Sequence, residues 1–180
     1  FSWLAKLVDA KADENEWRDF KEGVPFFNSL LPEKEQKKME ENLAEAIGKF
    51  GWTVKRAHNY DEAKGHGFID YQHVGVKVFR SIDKTQPLIV AESVWQYSHH
   101  VLAGLISHQG PILVVANWDG TYPGLVGALN LTGSLTKANV KYSFLWSKDF
   151  SDDFFKTKVK EWLDTGNVSQ DYSQVRRFEK

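Results

Sequence analysis

The sequence contains no cysteine, which excludes a disulfide framework and any chemistry that needs a thiolate. It contains no apolar run approaching the ~20 residues that a membrane-spanning helix requires. Its start also lacks the basic and then apolar layout of a secretion signal. These absences predict a cytoplasmic protein without a membrane partner.

Neither sign of charge dominates, since 23 Lys and Arg residues stand against 24 Asp and Glu residues. This balance gives no broad attraction to nucleic acid or to an anionic membrane, and it favours small molecules or other proteins as partners. With 180 residues, 42% of them hydrophobic, the chain can bury the core of one domain. We expect residues 1–180 to form a single α/β domain, and Phe1 at the start suggests a piece of a longer protein.

Short apolar segments alternate with amphipathic segments along most of the chain. Residues 88–91 and 112–116 are uninterrupted aliphatic runs, each preceded by a proline, as is typical of central parallel strands covered on both faces. Residues 52–58 alternate apolar and polar side chains and predict an edge strand. The remaining predicted elements are helices at residues 32–51, 68–82, 97–107, 124–137 and 152–164, and a strand at residues 142–146.

This order predicts a three-layer, doubly wound α/β fold of the flavodoxin or Rossmann type, with a mostly parallel sheet. In such folds ligands bind beyond the carboxyl ends of the strands. The start of the chain fits the pattern less well. Trp3, Leu4, Leu7 and Val8 have helical spacing, so we expect a helix there, followed by an irregular stretch before residue 32.

Polar and aromatic side chains are concentrated directly after the two central strands, in residues 92–100 and 117–124. The indole of Trp118 offers a stacking plane flanked by hydrogen-bonding groups, an arrangement common in sugar-binding sites. The simpler alternative is that the tryptophans pack against neighbouring loops and that Asp119 caps a turn. The candidate sugar-binding residues are Asn117, Trp118, Asp119, Gly120, Tyr122 and Trp95.

The chain lacks a complete set of catalytic groups. Its six histidines show no HExxH spacing, and there is no G-x-S-x-G elbow and no Walker lysine motif. The glycines at 120, 124 and 127 follow a strand and open a helix, which is a weak indication of an anion-binding turn. Their spacing does not match the G-x-G-x-x-G fingerprint of dinucleotide-binding proteins. The acidic run Asp149, Asp152 and Asp153 most simply begins a helix. We therefore predict no catalytic residue and no metal ligand in this chain.

Long strings of the sequence resemble the fucose isomerase-like proteins, which are relatives of L-fucose and L-arabinose isomerases. The strings are PLIVAESVWQYSHHVLAGL at residues 87–105 and GPILVVANWDGTYPGLVGALN at residues 110–130. The similarity continues through LTGSLTK at residues 131–137 and LWSKDF at residues 145–150. Altogether it extends over residues 58–176, about two-thirds of the chain.

The resemblance implies that this is the N-terminal of three domains in a manganese-dependent aldose–ketose isomerase. Glu, Asp and His ligands for the manganese would come from the other domains, beyond Lys180. It also implies a homo-oligomer in which this domain closes over a neighbouring subunit's sugar pocket, with contacts from residues 117–120 after the fourth strand. Residues 1–31 depart from the family pattern of an opening strand and a polar loop, so the first strand is expected to be altered or absent.

Two other functions stay open at this point. One is a non-enzymatic sugar- or anion-binding module of flavodoxin-like shape, suggested by the missing catalytic sets and by the glycines at 120, 124 and 127. The other is an NAD-dependent oxidoreductase, which rests on the alternating architecture alone and is disfavoured by the absent dinucleotide fingerprint. The sequence does not name the sugar.

Overall fold

The computed structural model shows a five-stranded sheet with helices on both faces. It describes residues 2–9, 30–64, 66–67, 69–93, 98–118, 120, 124–171 and 173, with the backbone alone for residues 2–9 and 30–35. The strands are β1 (Ser2–Asp9), β2 (Trp52–Arg56), β3 (Leu88–Glu92), β4 (Ile112–Asn117) and β5 (Ser143–Ser147). The helices are α1 (Leu30–Gly48), α2 (Gln72–Ser81), α3 (Leu102–Ser107), α4 (Gly124–Lys137) and α5 (Asp153–Thr165).

The strands lie in the order β2-β1-β3-β4-β5. Strands β3, β4 and β5 pair in parallel, whereas β1 runs antiparallel to both of its neighbours, β2 and β3. Strand β2 therefore points the same way as β3, and β1 alone is reversed among these five strands. The sheet is mostly parallel, and β2 is an edge strand, as the sequence predicted.

Every residue of β3 and β4 is buried, as expected for strands covered by helices on both faces. Side chains of β3 alternate between the two faces, with Ile89 and Ala91 packed on one side and Leu88 and Val90 on the other. Helices α1 and α5 cover the first face, and α2, α3 and α4 cover the second. The three-layer architecture is thus confirmed.

Helix boundaries follow local chemistry where the sequence carries clear signals. Helix α5 begins after Asp152, whose carboxylate accepts a hydrogen bond from the Phe155 amide at 2.8 Å. It ends at Gly166, which adopts a left-handed φ of 72° and donates its amide to the Trp162 carbonyl at 2.7 Å. Among the described residues, no helix is both long and apolar enough to cross a membrane.

The prediction of a helix in the first residues was wrong, because residues 2–9 form strand β1. Eight residues make a marginal helix on their own. As a strand they pair along both edges, for example Ala5 with Arg56 on one side and with Ile89 on the other. The irregular stretch predicted before residue 32 falls mostly outside the described residues.

Two predicted helices are shorter than their apolar pattern indicates. Helix α2 starts four residues late because Tyr71 is extended, with φ of −139° and ψ of 153°. The segment predicted as one helix to Ser107 is a 3₁₀ turn at Ser98–His100 followed by α3, with non-helical Val101 between them. The turn packs tightly on α2, since the His100 carbonyl occupies the space of a Cβ at Gly75.

Replacing Asp152 with Ala should lower the free energy of unfolding by about 1–2 kcal/mol, because the cap of α5 and the hydrogen bond from the Ser147 hydroxyl are both lost. Asp153→Ala is the matched control, since Asp153 is exposed and makes only a surface ion pair with Lys156 at 3.6 Å. Its effect should stay within about 0.5 kcal/mol. Urea unfolding of both variants measures the difference, and equal losses would show that the cap is not the stabilising contact.

Candidate functional site

The carboxyl ends of β3 and β4 lie side by side beneath the first turn of α4. Glu92 is paired with Ala116, so Glu92 and Asn117, the last residues of the two strands, reach the same edge of the sheet. A Cβ at Gly124 would lie 2.6 Å from the carbonyl oxygens of both Glu92 and Asn117. Glycine is therefore required for α4 to rest on the two strand ends. Ligand crevices of doubly wound sheets lie at this edge.

Glu92 is an acid placed in the interior at this edge. Its side chain is fully buried, and neither carboxyl oxygen has a hydrogen-bond partner within the described part of the chain. Burial raises the pKa of the Glu92 carboxyl well above its usual range, since the ionised form loses its hydration. The site thus favours a protonated, uncharged carboxyl group.

Two neighbouring residues carry further buried oxygens. The Ser93 hydroxyl and the Asn117 side-chain carbonyl, like the Glu92 carboxyl, lack a partner among the residues that the structure describes. Buried polar groups in native proteins nearly always have a hydrogen-bond partner. Their concentration at two adjacent strand ends makes this edge the candidate binding site. Because a hydroxyl and a protonated carboxyl donate as well as accept hydrogen bonds, the site suits a neutral molecule that does both.

Three of the six sequence-predicted site residues are described. Asn117 is buried at 8% exposure, whereas Trp118 directly after it is 45% exposed. Gly120 is exposed and takes a left-handed φ of 94°. Trp95, Asp119 and Tyr122 lie outside the described residues. The indole of Trp118 is therefore accessible at the end of β4.

The structure adds Trp146, which the sequence pattern places in a strand but not in a site. Trp146 lies near the end of β5, and its ring centroid is 6.2 Å from that of Trp118, with 50° between the planes. It is 47% exposed. The parallel pairing of β4 with β5 brings the two rings together, because Trp146 is in register with Ala116, two residues before Trp118. The sequence signal that could have indicated Trp146 is its position as an aromatic residue at the end of the predicted strand 142–146.

The three glycines have structural explanations that need no anion. Gly124 permits the contact between α4 and the strand ends, and Gly127 is buried on the inner face of α4. Gly120 adopts a conformation that glycine reaches at little cost.

The histidines are spread over several elements. Burial lowers the pKa of His58 to about 4, and so favours the neutral ring. His66 lies 3.5 Å from Asp70, which also pairs with Lys64 at 2.8 Å. No group of three His, Cys, Asp or Glu side chains that could hold a metal occurs in the described ranges. Asp152, from the acidic run, caps α5 as predicted.

A groove of about 910 Å³ runs along the outer edge of β5 and shares Trp146 with the candidate site. Its walls include Tyr142, Phe144 and Trp146 from the strand region and Phe154 from α5. Gln170 also lines the groove, and its side-chain amide donates a hydrogen bond to the Phe144 carbonyl at 3.1 Å. Trp146 therefore lies between this groove and the carboxyl edge, and the two surfaces need to be distinguished by experiment.

Comparisons with protein families, with curated proteins and with solved structures found no match to this chain. The resemblance to the fucose isomerase-like proteins stays a prediction.

Gly124→Ala should lower the free energy of unfolding by about 1–3 kcal/mol, because the added methyl group forces α4 away from β3 and β4. Gly133→Ala in the same helix is the control, since nothing lies within 4 Å of a Cβ there. That change should raise the free energy of unfolding by about 0.4–1 kcal/mol. Chemical denaturation compares the pair, and a neutral or stabilising Gly124→Ala would refute the close contact.

Glu92→Gln should remove the loss of stability that the Glu92 carboxyl causes as pH rises. The pKa of Glu92 is raised in the folded state, so its contribution is fully present below the unfolded value of about 4 and is lost as pH rises through the folded value. The free energy of unfolding of the wild type, relative to Glu92→Gln, should therefore fall with rising pH by up to about 1.4 kcal/mol per pH unit. Unfolding curves between pH 4 and about 9 measure it.

Glu161→Gln provides the control of opposite sign. Hydrogen bonds from Ser169, and then Lys158, lower the pKa of the partly exposed Glu161 carboxylate to about 2. Its contribution is present above the unfolded pKa and is lost as pH falls, so this variant should differ from the wild type mainly at neutral pH. If both variants show the same trend, the assignment of a neutral Glu92 is wrong.

Proposed function

We propose that this chain is the N-terminal, substrate-covering and oligomerising domain of a manganese-dependent isomerase that interconverts aldoses and ketoses related to fucose and arabinose. The observation that carries the proposal is the exposed indole of Trp118 at the carboxyl edge of β4, directly beside buried Asn117. An aromatic residue held there for packing alone would be expected to be covered by its own domain.

The chemistry of this edge fits a neutral polyol. An indole face stacks on the C–H face of a sugar ring, and sugar hydroxyls can donate hydrogen bonds to oxygen acceptors such as the Asn117 side-chain carbonyl. The unpartnered groups of Glu92, Ser93 and Asn117 are a protonated carboxyl, a hydroxyl and an amide carbonyl, which between them can donate and accept hydrogen bonds as sugar hydroxyls do.

The described residues do not form a manganese site, because they contain no group of three suitable ligands. The proposal assigns the metal and the groups that move the proton between neighbouring sugar carbons to other domains of a longer protein. Here this domain contributes binding: Trp118 supports one face of the sugar, Asn117 orients a hydroxyl, and the covering domain keeps water away from the pocket.

A sugar-binding module without catalysis would use the same surface. The two functions differ in whether a longer protein containing this chain turns over a sugar, and in whether that turnover depends on Trp118. Both functions use the same binding surface, so a measurement of sugar binding alone does not separate them.

In the longer protein, Trp118→Ala should lower kcat/KM for an aldose such as L-fucose or L-arabinose about tenfold, through the lost stacking contact. The control is Ile106→Ala, which truncates a side chain of similar exposure (53%) near the end of α3. The isolated 180-residue chain should show no isomerase turnover. Turnover by this chain alone, or full activity of Trp118→Ala, would contradict the proposal, and absence of any activity in the longer protein would favour the binding module.

A further inference from the structure

The pairing of β4 with β5 extends past the last residue of β4. Asn117 is in register with Ser147, and the Trp118 amide donates to the Ser147 carbonyl at 3.0 Å. Trp118 and Trp146 are thereby fixed on adjacent strands, two register positions apart, which places them on the same face of the sheet. The two rings are neighbours because of backbone hydrogen bonds.

Trp118 and Trp146 each leave nearly half of their residue surface exposed to solvent. Whereas every residue of β4 is buried, Trp118 is 45% exposed and Trp146 is 47% exposed. Together they form an apolar patch at the edge where ligands of doubly wound sheets bind. Adjacent exposed aromatic residues of this kind are typical of a ligand-binding surface.

The geometry decides how a ligand meets these rings. A flat ligand sandwiched between two rings needs about 7–8 Å between them, since each contact takes about 3.5–4.0 Å. The centroids are 6.2 Å apart and the planes meet at 50°, so no ring fits between them. The indoles therefore form one bent platform, and a ligand lies across both.

We infer that Trp146 is a second sugar-contacting residue, which completes with Trp118 a two-indole platform for the C–H face of a neutral sugar. The sugar as ligand class rests on the proposed function. The platform itself rests on the ring geometry, and it extends the site from the β4 rim onto β5. Asn117, one residue before Trp118, directs its side chain to the opposite face of the sheet, so the platform consists of the two indoles.

The test uses the 180-residue chain with its seven tryptophans labelled as 5-fluorotryptophan. Trp118→Phe and Trp146→Phe assign the two resonances by their disappearance. L-fucose or L-arabinose is titrated in, with inorganic phosphate and adenosine as comparison ligands. The platform predicts that sugar shifts the fluorine resonances of Trp118 and Trp146 together, while those of Trp52 at the opposite end of the sheet and of buried Trp162 stay unchanged.

Affinity measured on the same samples gives the second readout. Trp146→Ala should weaken sugar binding about two- to tenfold, and Trp146→Phe should restore most of it. Ile106→Ala is the control with unchanged affinity. Retained sugar affinity in Trp146→Ala, with weakened affinity in Trp118→Ala, would overturn the inference and leave the proposed function standing.

The remaining outcomes also decide. Sugar binding that depends on both tryptophans, in a protein whose longer form has no isomerase activity, would support the platform and refute the isomerase. Shifts of the two resonances with adenosine but not with sugar would overturn the sugar assignment. Absence of sugar binding by the wild-type chain at tens of millimolar would overturn the inference as well.

Discussion

The register of the parallel ladder formed by β3, β4 and β5 is the constraint on which the rest of the structure depends. It aligns Glu92 with Ala116 and Asn117 with Ser147, so three strands end together at one edge. A slip of one residue would turn every buried aliphatic side chain of β4 to the opposite face. Because both faces are covered, that slip is costly, and the edge that carries the candidate site is held by the packing of the whole core.

The burial of Glu92 at this edge lowers the stability of the fold. Burying an ionisable group without a partner is unfavourable, and a hydrophobic residue of similar size would be the stable choice at the end of a buried strand. Glu40, another largely buried acid, is treated differently: it pairs with the Arg56 guanidinium and accepts a hydrogen bond from Gln36 at 2.6 Å. Departures from the rules of stable packing concentrate at functional sites. The contrast between the two acids therefore supports placing the ligand near Glu92 and not near Glu40.

The sequence was most informative where one local pattern decides the structure. The bounds of α4 at Gly124 and Lys137 agree with the prediction, and the aliphatic runs of β3 and β4 are central strands. It failed for β1, where eight residues fit a helical spacing as well as a strand and long-range pairing decides between them. It also failed for Trp146, because the sequence shows a strand but not which strand lies beside it. Trp118 was found by its neighbours in the sequence; Trp146 required the topology.

A titration of the 15N-labelled 180-residue chain with L-fucose, followed by amide NMR, tests the central claim that the carboxyl edge of the parallel strands is the sugar-binding surface. The account predicts that shift changes concentrate at Glu92, Ser93, Asn117, Trp118, Gly124, Trp146 and Ser147. Changes centred instead on the groove beside β5, around Tyr142, Phe154 and Gln170, or scattered over the surface, would contradict it.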